Sequence, residues 1–141
     1  DYIEWLGSQV CDSDDQRTRF EAAGNAIHDH EQALTVAMIR GTGNLPGLAE
    51  MAHVHIIGGV DNPAREGLVS IYVDDIDSKD VVARLNSEGV RTHLRKADHY
   101  SGNVLDPLGL DSCIRVSMCH YNSATEVAQF LGVMKNITSP N

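Results

Sequence analysis

Residues 113–137 read CIRVSMCHYNSATEVAQFLGVMKNI, and this stretch decides the fold. Apolar and other residues alternate over 113–119, which predicts a half-buried strand with Ile114, Val116 and Met118 directed to the core. The opposite face of that strand then carries Arg115. An arginine in a strand that is otherwise suited to a core is the sharpest functional clue in the chain.

A tight corner and a helix follow this strand. Residues 120–122 end the strand, and Ser123 with Glu126 three residues later forms a capping-box pattern. Apolar residues then recur at helical spacing at Val127, Phe130, Leu131, Met134 and Ile137. The end of the chain therefore predicts a strand, a corner and an amphipathic helix.

Two helices are predicted near the start of the chain. DYIEWLG, at the first residues, reads as a helix tail that stops at Gly7, with a linker over residues 8–12. Ser13 and Gln16 form a second capping-box pattern. Beyond them a long amphipathic helix runs as far as Arg40.

The middle of the chain alternates strands and helices. Strands are predicted at 53–57, 68–73 and 90–95, and a helix at 78–88 ends at Gly89. This order predicts an α+β fold in which a small three- to four-stranded, mainly antiparallel sheet is covered on one face by helices. Arg115 would lie on the uncovered face.

Length and charge exclude several classes of protein. The chain has 141 residues, which is one ordinary domain, and a net charge of −9 with a pI of about 5.0. Nucleic acids and anionic membranes need a basic patch, so neither is an expected partner. The sequence has no apolar run of the roughly 20 residues that a membrane helix needs and no signal-peptide pattern. With three cysteines read as reduced thiols, a cytoplasmic location is expected.

Histidines and serines do not predict a metal or triad site. His53 and His55 share a strand face, but no third ligand follows at a recognisable spacing, so no metal site is predicted. A Ser-His-Asp triad lacks a GxSxG motif to make it specific. The segment GTGNLPG follows a helix and lacks a P-loop lysine, so it predicts a turn instead of a phosphate loop.

The motif RVSxxHYN at 115–122, together with GLVSIYVDDIDSKDVVARLNSEGVRTHLRK at 67–96, resembles the C-terminal small domain of pyridoxal-phosphate-dependent class V aminotransferases. This group includes cysteine desulfurases and selenocysteine lyases. The resemblance implies the small domain of a fold-type I enzyme over residues 13–141. Residues 1–12 would be a helix tail and linker from a large domain or an N-terminal extension.

The resemblance also implies roles for two arginines. In the family, the arginine matched by Arg115 binds the substrate α-carboxylate, a task suited to a planar guanidinium that donates two parallel hydrogen bonds. Arg91, in the motif GVRT, is implied to face the active-site cleft near the substrate or cofactor. The alternative for Arg91 is an exposed sheet charge.

The next loop departs from the cysteine desulfurase pattern. In that group it carries a nucleophilic cysteine, whereas HLRKADHYSGNVLDPLG at 93–109 contains none. His99, Tyr100 and Ser101 are the candidate active-site residues here, with Tyr100 aligned to the thiol. A phenol with a pKa near 10 cannot replace a thiolate as sulfur acceptor. The parent protein is therefore desulfurase-like, and transamination, racemisation and other lyase reactions stay open.

The family's cofactor binds a lysine of the large domain as a Schiff base. Lys79, Lys96 and Lys135 lie in no motif like the family's His-Lys pair, so this chain alone is expected to bind no cofactor and to be catalytically silent. Its expected partner is a large pyridoxal-phosphate-binding domain in the same or another chain, and homodimerisation stays open. The alternative is a free-standing domain that binds a small anion or assembles with a partner protein.

Overall fold

Four strands pair into one antiparallel sheet in the order Val54–Ile56, Leu68–Val73, Ser112–Ser117 and His93–Lys96, and the longer helices pack on one of its faces. The computed structural model describes residues 1–139, and the last two residues of the predicted domain lie outside this range. The helices are α1 (Tyr2–Val10), α2 (Gln16–Arg40), α3 (Ser78–Ser87), α4 (Gly102–Leu105) and α5 (Ala124–Thr138). The strands are β1 (Gly41–Thr42), β2 (Leu45–Pro46), β3 (Val54–Ile56), β4 (Leu68–Val73), β5 (His93–Lys96) and β6 (Ser112–Ser117). Short 3-10 turns occupy Leu48–Glu50 and Asp106–Leu108.

Alternation along the strands separates a core face from an open face, as predicted. Val69 pairs with Val116 and Ile71 with Ile114 across β4 and β6, and all four side chains are buried. Residues that follow one another in a strand point to opposite faces, so the intervening positions carry Ser70 and Arg115 on the other side. The prediction for the two faces of β6 is confirmed.

The core is completed mainly by the last helix. The Ser123 hydroxyl accepts a hydrogen bond from the Glu126 backbone N–H, and the Glu126 carboxylate accepts one from the Ser123 backbone N–H, so the predicted capping box is present. Every apolar position predicted for this helix is buried: Val127, Phe130, Leu131, Met134 and Ile137. The α+β class and the antiparallel sheet covered by helices are confirmed.

Two local predictions near the start of the chain are wrong. α1 does not stop at Gly7 but continues to Val10, because Gly7 is buried where α1 crosses α2, and a Cβ there would collide with the Arg19 carbonyl oxygen. The cap of α2 is Asp15, not Ser13, since the Asp15 carboxylate accepts the Thr18 N–H at 2.8 Å. The predicted end of α2 at Arg40 is confirmed.

The sheet also differs in detail from the prediction. The turn predicted in GTGNLPG is present, and it joins the short strands β1 and β2 in a small hairpin that was not predicted. The strand predicted over 90–95 begins only at His93, which leaves Arg91 outside the sheet. No helix within residues 1–139 combines the length and the apolar character needed to cross a membrane.

Candidate functional site

The open face of the sheet carries a cavity of about 200 Å³ beside Arg115. Side chains from three strands and from α4 surround it. Its lining consists of Ile57, Ser70, Arg95, Tyr100, Ser101, Val104, Leu105, Cys113 and Arg115. Because α4 lies over part of the face that the sequence predicted to be uncovered, the face is a walled cavity there and not a flat sheet surface.

A compact turn holds α4 in place above the strands. The Asp98 carboxylate accepts the backbone N–H groups of Tyr100 and Ser101 at 3.0 and 3.1 Å. Those two hydrogen bonds lower the pKa of Asp98 below its ordinary value, and the one from Tyr100 has the larger effect. The Gly102 N–H also donates to the Asp98 carbonyl at 2.6 Å. Asp98 therefore organises the turn that leads into α4.

One side-chain contact joins this turn to the sheet. Arg95, on β5, donates from Nε and Nη2 to the Ser101 hydroxyl at 3.3 and 3.0 Å. Both residues line the cavity. The Ser101 oxygen accepts two N–H groups, so the Arg95 guanidinium is held in one orientation at the cavity wall.

Arg115 is half-buried at the centre of the face. Its neighbours across the strands are Ser70 on β4 and His93 on β5. Its Nε atom is buried and has no hydrogen-bond partner in residues 1–139. Buried polar groups in proteins nearly always have a partner, so an unpaired guanidinium N–H beside a cavity is suited to an anionic ligand. No carboxylate of the described residues lines this cavity.

Cys113 is the buried thiol of the same cavity, and only 4% of its surface is exposed. Burial raises the pKa of this thiol, an effect that Arg95, the Ser70 hydroxyl and Arg115 oppose. A buried thiol with a raised pKa is a poor nucleophile because the thiolate is the reactive form. Cys113 therefore does not replace the loop cysteine of a desulfurase.

The predicted site residues separate into two groups. The structure brings Arg115, Tyr100 and Ser101 to one cavity. Tyr100 is 76% exposed, and its ring lies 3.9 Å from that of His99, which is not in the cavity lining. Arg91 is exposed and lines a different cavity of about 210 Å³ between the end of β6 and the start of α5.

Sequence reasoning did not identify Arg95, Ser70 and Cys113 as cavity residues. Ser70 and Cys113 occupy alternate positions of strands that were predicted, so period-two alternation is the signal that could have found them. Arg95 needed more information, because its face depends on the pairing of β5 with β6. The register that pairs Arg95 with Cys113 supplies this information.

The chain's own residues do not fit a covalently held pyridoxal phosphate. Lys79 lies in the first turn of α3, Lys96 ends β5 and Lys135 lies in the last turn of α5. All three are exposed, and none of them lines the Arg115 cavity. A Schiff base to this cofactor at the cavity would need a lysine from elsewhere.

The histidine pair considered for a metal shares a carboxylate instead. His55 Nε2 lies 2.8 Å and His53 Nδ1 3.7 Å from the same Asp74 oxygen. The hydrogen bond from His55 is the main cause that lowers the pKa of Asp74. Within residues 1–139, no group of three or more His, Cys, Asp or Glu side chains is arranged to hold a metal ion.

Comparison with known proteins gives one consistent family. The model of the class V aminotransferase family matches residues 20–130. A probable cysteine desulfurase of Staphylococcus epidermidis is 30% identical over 111 residues, which are 79% of this chain and 25% of that protein. A probable cysteine desulfurase of Pseudomonas putida is 26% identical over 110 residues, 78% of this chain and 24% of that protein. The chain thus spans about a quarter of the length of the curated relatives it matches.

Solved structures agree with this result. The apo structure of a cysteine desulfurase from Thermococcus onnurineus is 28% identical, with a TM-score of 0.71 over 87% of this chain and 28% of that one. The cysteine desulfurase CsdA of Escherichia coli shares the fold at a TM-score of 0.64, with 16% identity over 86% of this chain and 28% of that one.

Proposed function

Because this chain belongs to the class V aminotransferase family, we propose that it is the C-terminal small domain of a pyridoxal-phosphate-dependent, cysteine desulfurase-like protein and that Arg115 binds the α-carboxylate of its substrate. The domain spans residues 13–141, and residues 1–12 connect it to the rest of the protein. The observation that carries this proposal is the buried, unpaired Nε of Arg115 beside a cavity that contains no carboxylate of residues 1–139.

The contacts around Arg115 support carboxylate binding over a structural role. A structural arginine in a sheet is normally paired with a carboxylate or with backbone carbonyls, whereas Arg115 forms no salt bridge with any residue of the described chain. A guanidinium can give a carboxylate two parallel hydrogen bonds, which fixes both the position and the orientation of the acid. Arg115 thus has the free donors and the adjacent space that this task needs.

The remaining parts of the site come from the large domain in this proposal. That domain supplies the Schiff-base lysine, and the bound cofactor supplies electron withdrawal from the substrate Cα. The small domain binds the carboxylate and closes the site with Tyr100 and Ser101 of the α4 turn. Arg91 lies in a separate cavity, so we assign it to the cleft surface and not to the same carboxylate. The protein is cytoplasmic in this proposal, consistent with cysteines that form no disulfide in the described chain.

The absence of a loop cysteine limits the reaction. Sulfur transfer from cysteine requires a thiolate near the cofactor, and residues 93–109 contain none while Cys113 is buried with a raised pKa. We therefore assign the protein to desulfurase-like enzymes that do not form a persulfide on this loop. Transamination, racemisation and other lyase reactions all use the same carboxylate contact.

The test follows Arg115 directly. Titration of the 15N-labelled chain with propionate should shift the side-chain Nε–H resonance of Arg115, because this donor has no internal partner. Arg115→Ala should keep the circular dichroism spectrum and the cooperative thermal transition of the fold while it abolishes propionate binding. Lys96→Gln, which removes a cation from the exposed end of β5, is the matched control and should bind propionate normally.

Two results would contradict the assignment. If Arg115→Ala unfolds the chain, the arginine is structural and not a ligand-binding residue. If the variant stays folded and still binds propionate at the same site, the carboxylate contact belongs to another side chain.

The alternative of a free-standing module that binds small anions or partner proteins has less support. The chain matches about a quarter of the length of its curated relatives, as a domain of a larger enzyme would. Expression of the chain together with a large domain of the same family would test the alternative, since only the proposed small domain should restore activity toward an amino acid.

A further inference from the structure

We propose that Arg95 is a second anion-binding residue of the Arg115 cavity, so that the substrate is an amino acid with an acidic side chain. This inference rests on the proposed carboxylate contact of Arg115 and extends it. Cysteine itself, the substrate named by the relatives, has no second acid group. The assigned substrate class is therefore a short amino acid whose side chain ends in a carboxylate.

The strand register places the two arginines side by side. Arg95 on β5 pairs with Cys113 on β6, and Arg115 lies two residues beyond Cys113 on the same strand and the same face. Residues related in this diagonal way have Cα atoms roughly 7–8 Å apart, well within the reach of long side chains. Both arginines line the one cavity, so a single small molecule can contact both.

No acidic side chain of residues 1–139 forms a salt bridge with either cation of this pair. Neither Arg95 nor Arg115 forms a salt bridge within residues 1–139, and no Asp or Glu of those residues lines the cavity. The charge of Arg95 acts on the Asp98 carboxylate without a salt bridge between them, and the hydrogen bonds of that carboxylate go to the backbone N–H groups of Tyr100 and Ser101. Two adjacent guanidinium groups repel each other, and an anion between them removes that repulsion.

Arg95 is held for binding and keeps free donors. The Ser101 hydroxyl accepts from Nε and Nη2 and so orients the guanidinium toward the cavity wall. Of the five N–H groups of an arginine, these contacts use two, and the described structure gives Arg95 no other side-chain hydrogen bond. The remaining N–H groups can donate to a second acid group while Arg115 holds the first.

The rest of the lining fits a short aliphatic chain between two acids. Ile57, Val104 and Leu105 supply apolar surface, whereas Ser70 and Ser101 add neutral hydroxyl groups. Cys113 pairs with Arg95 and lies two residues before Arg115, and burial raises the pKa of its thiol. The thiol is therefore neutral and does not repel an anion. A cavity of about 200 Å³ has room for a small dicarboxylic acid.

A pair of acids that differ by one carboxylate tests this inference. Succinate carries two carboxylates and propionate one, and binding is followed by the side-chain Nε–H resonances of Arg95 and Arg115 in the 15N-labelled 141-residue chain. Succinate should shift both resonances and bind about tenfold more tightly than propionate, since its second group gains a charge-assisted contact. Propionate should shift mainly the Arg115 resonance.

Variants then separate the two arginines. Arg95→Gln should remove the roughly tenfold preference for succinate over propionate, while propionate still shifts the Arg115 resonance. Lys96→Gln removes the adjacent cation on the same strand and should keep the preference for succinate. Arg95→Lys keeps the charge but loses the planar guanidinium, so it should retain part of the preference for succinate. This variant replaces Arg95→Gln in the affinity comparison if circular dichroism shows that Arg95→Gln is unfolded.

The outcomes distinguish this inference from the proposed function. Equal affinity for both acids, or a preference for succinate that survives in Arg95→Gln, would overturn the role of Arg95 and leave that of Arg115 intact. Propionate binding that persists in folded Arg115→Gln would overturn the proposed function itself. If neither acid shifts either resonance, both assignments are wrong.

Discussion

Replacement of Arg65 by Met should destabilise the chain by about 2–3 kcal/mol, although no carboxylate contacts this arginine in the described structure. Arg65 lies in the loop between β3 and β4, and only 9% of its surface is exposed. Its Nη2 donates to the carbonyls of Gly59 at 2.7 Å and Ile57 at 3.1 Å, and its Nη1 donates to that of Leu68 at 3.3 Å. One side chain therefore joins both ends of the loop.

The magnitude follows from these contacts. A hydrogen bond from a charged donor contributes about 1.5–3 kcal/mol, so the two shorter bonds at the low end of that range give about 3 kcal/mol. Two terms reduce this sum. Gly59 is exposed, so water can replace part of the lost bonding, and burial of the unpaired Nε already costs stability in the native chain. Met keeps an apolar side chain of similar reach, which leaves about 2–3 kcal/mol from the lost hydrogen bonds.

Urea denaturation of the wild-type and Arg65→Met chains measures this difference. Arg84→Met is the control, because Arg84 is exposed on α3 and a surface change of this kind is worth about 0.5 kcal/mol or less. Hydrogen exchange adds a local readout, since the Ile57 N–H donates to the Ser70 carbonyl at 2.9 Å and should exchange faster in the variant. A loss of stability no larger than that of Arg84→Met would refute the structural role of Arg65.

Two further predictions use titrating groups. Burial raises the pKa of the Cys113 thiol, so iodoacetamide at neutral pH should modify Cys11 and Cys119 before Cys113, and peptide mapping that shows Cys113 modified first would contradict this. The backbone N–H of Ser123, and then its hydroxyl, lower the pKa of Glu126. The folded pKa lies below the unfolded value of about 4.3, so this stabilisation is present above that pH and is lost as pH falls through the folded pKa. Glu126→Gln should therefore weaken the acid dependence of the urea midpoint, and an unchanged pH profile between the two proteins would exclude this contribution.

The parts of the fold that could be predicted are those set by short-range patterns. Alternation identified the core face of β6 because burial stabilises the apolar Ile114 and Val116, whereas the charged Arg115 is more stable on the open face. The capping box at Ser123 was predicted correctly because both of its hydrogen bonds join Ser123 and Glu126, which are three residues apart in the sequence. Such patterns can be identified from the sequence because they depend only on residues that are neighbours along the chain.

The wrong predictions have a tertiary cause. The low helix propensity of glycine predicts that the helix stops at Gly7. In the structure Gly7 instead allows α1 to cross close over α2, at a point where no side chain fits. Asp15 and Ser13 are both acceptable caps, and the fold uses the one whose carboxylate reaches Thr18. Arg95 illustrates the same limit at the site, since its face is set by the register of β5 against β6 and not by its own segment.

The register that builds the core also fixes the candidate site. A shift of β6 by one residue would bring Arg115 into the apolar core and both Ile114 and Val116 to the open face, and the cost of removing the whole guanidinium from water without any partner disfavours that arrangement. The same pairing sets Arg95 diagonal to Arg115, so the spacing of the two cations is determined by hydrophobic burial on the opposite face of the sheet. Tyr100 and Ser101 are positioned differently, by the hydrogen bonds that the Asp98 carboxylate accepts. The candidate site therefore combines a wall of paired strands, which sets the spacing of Arg95 and Arg115, with a turn that Asp98 organises and that contains no cysteine.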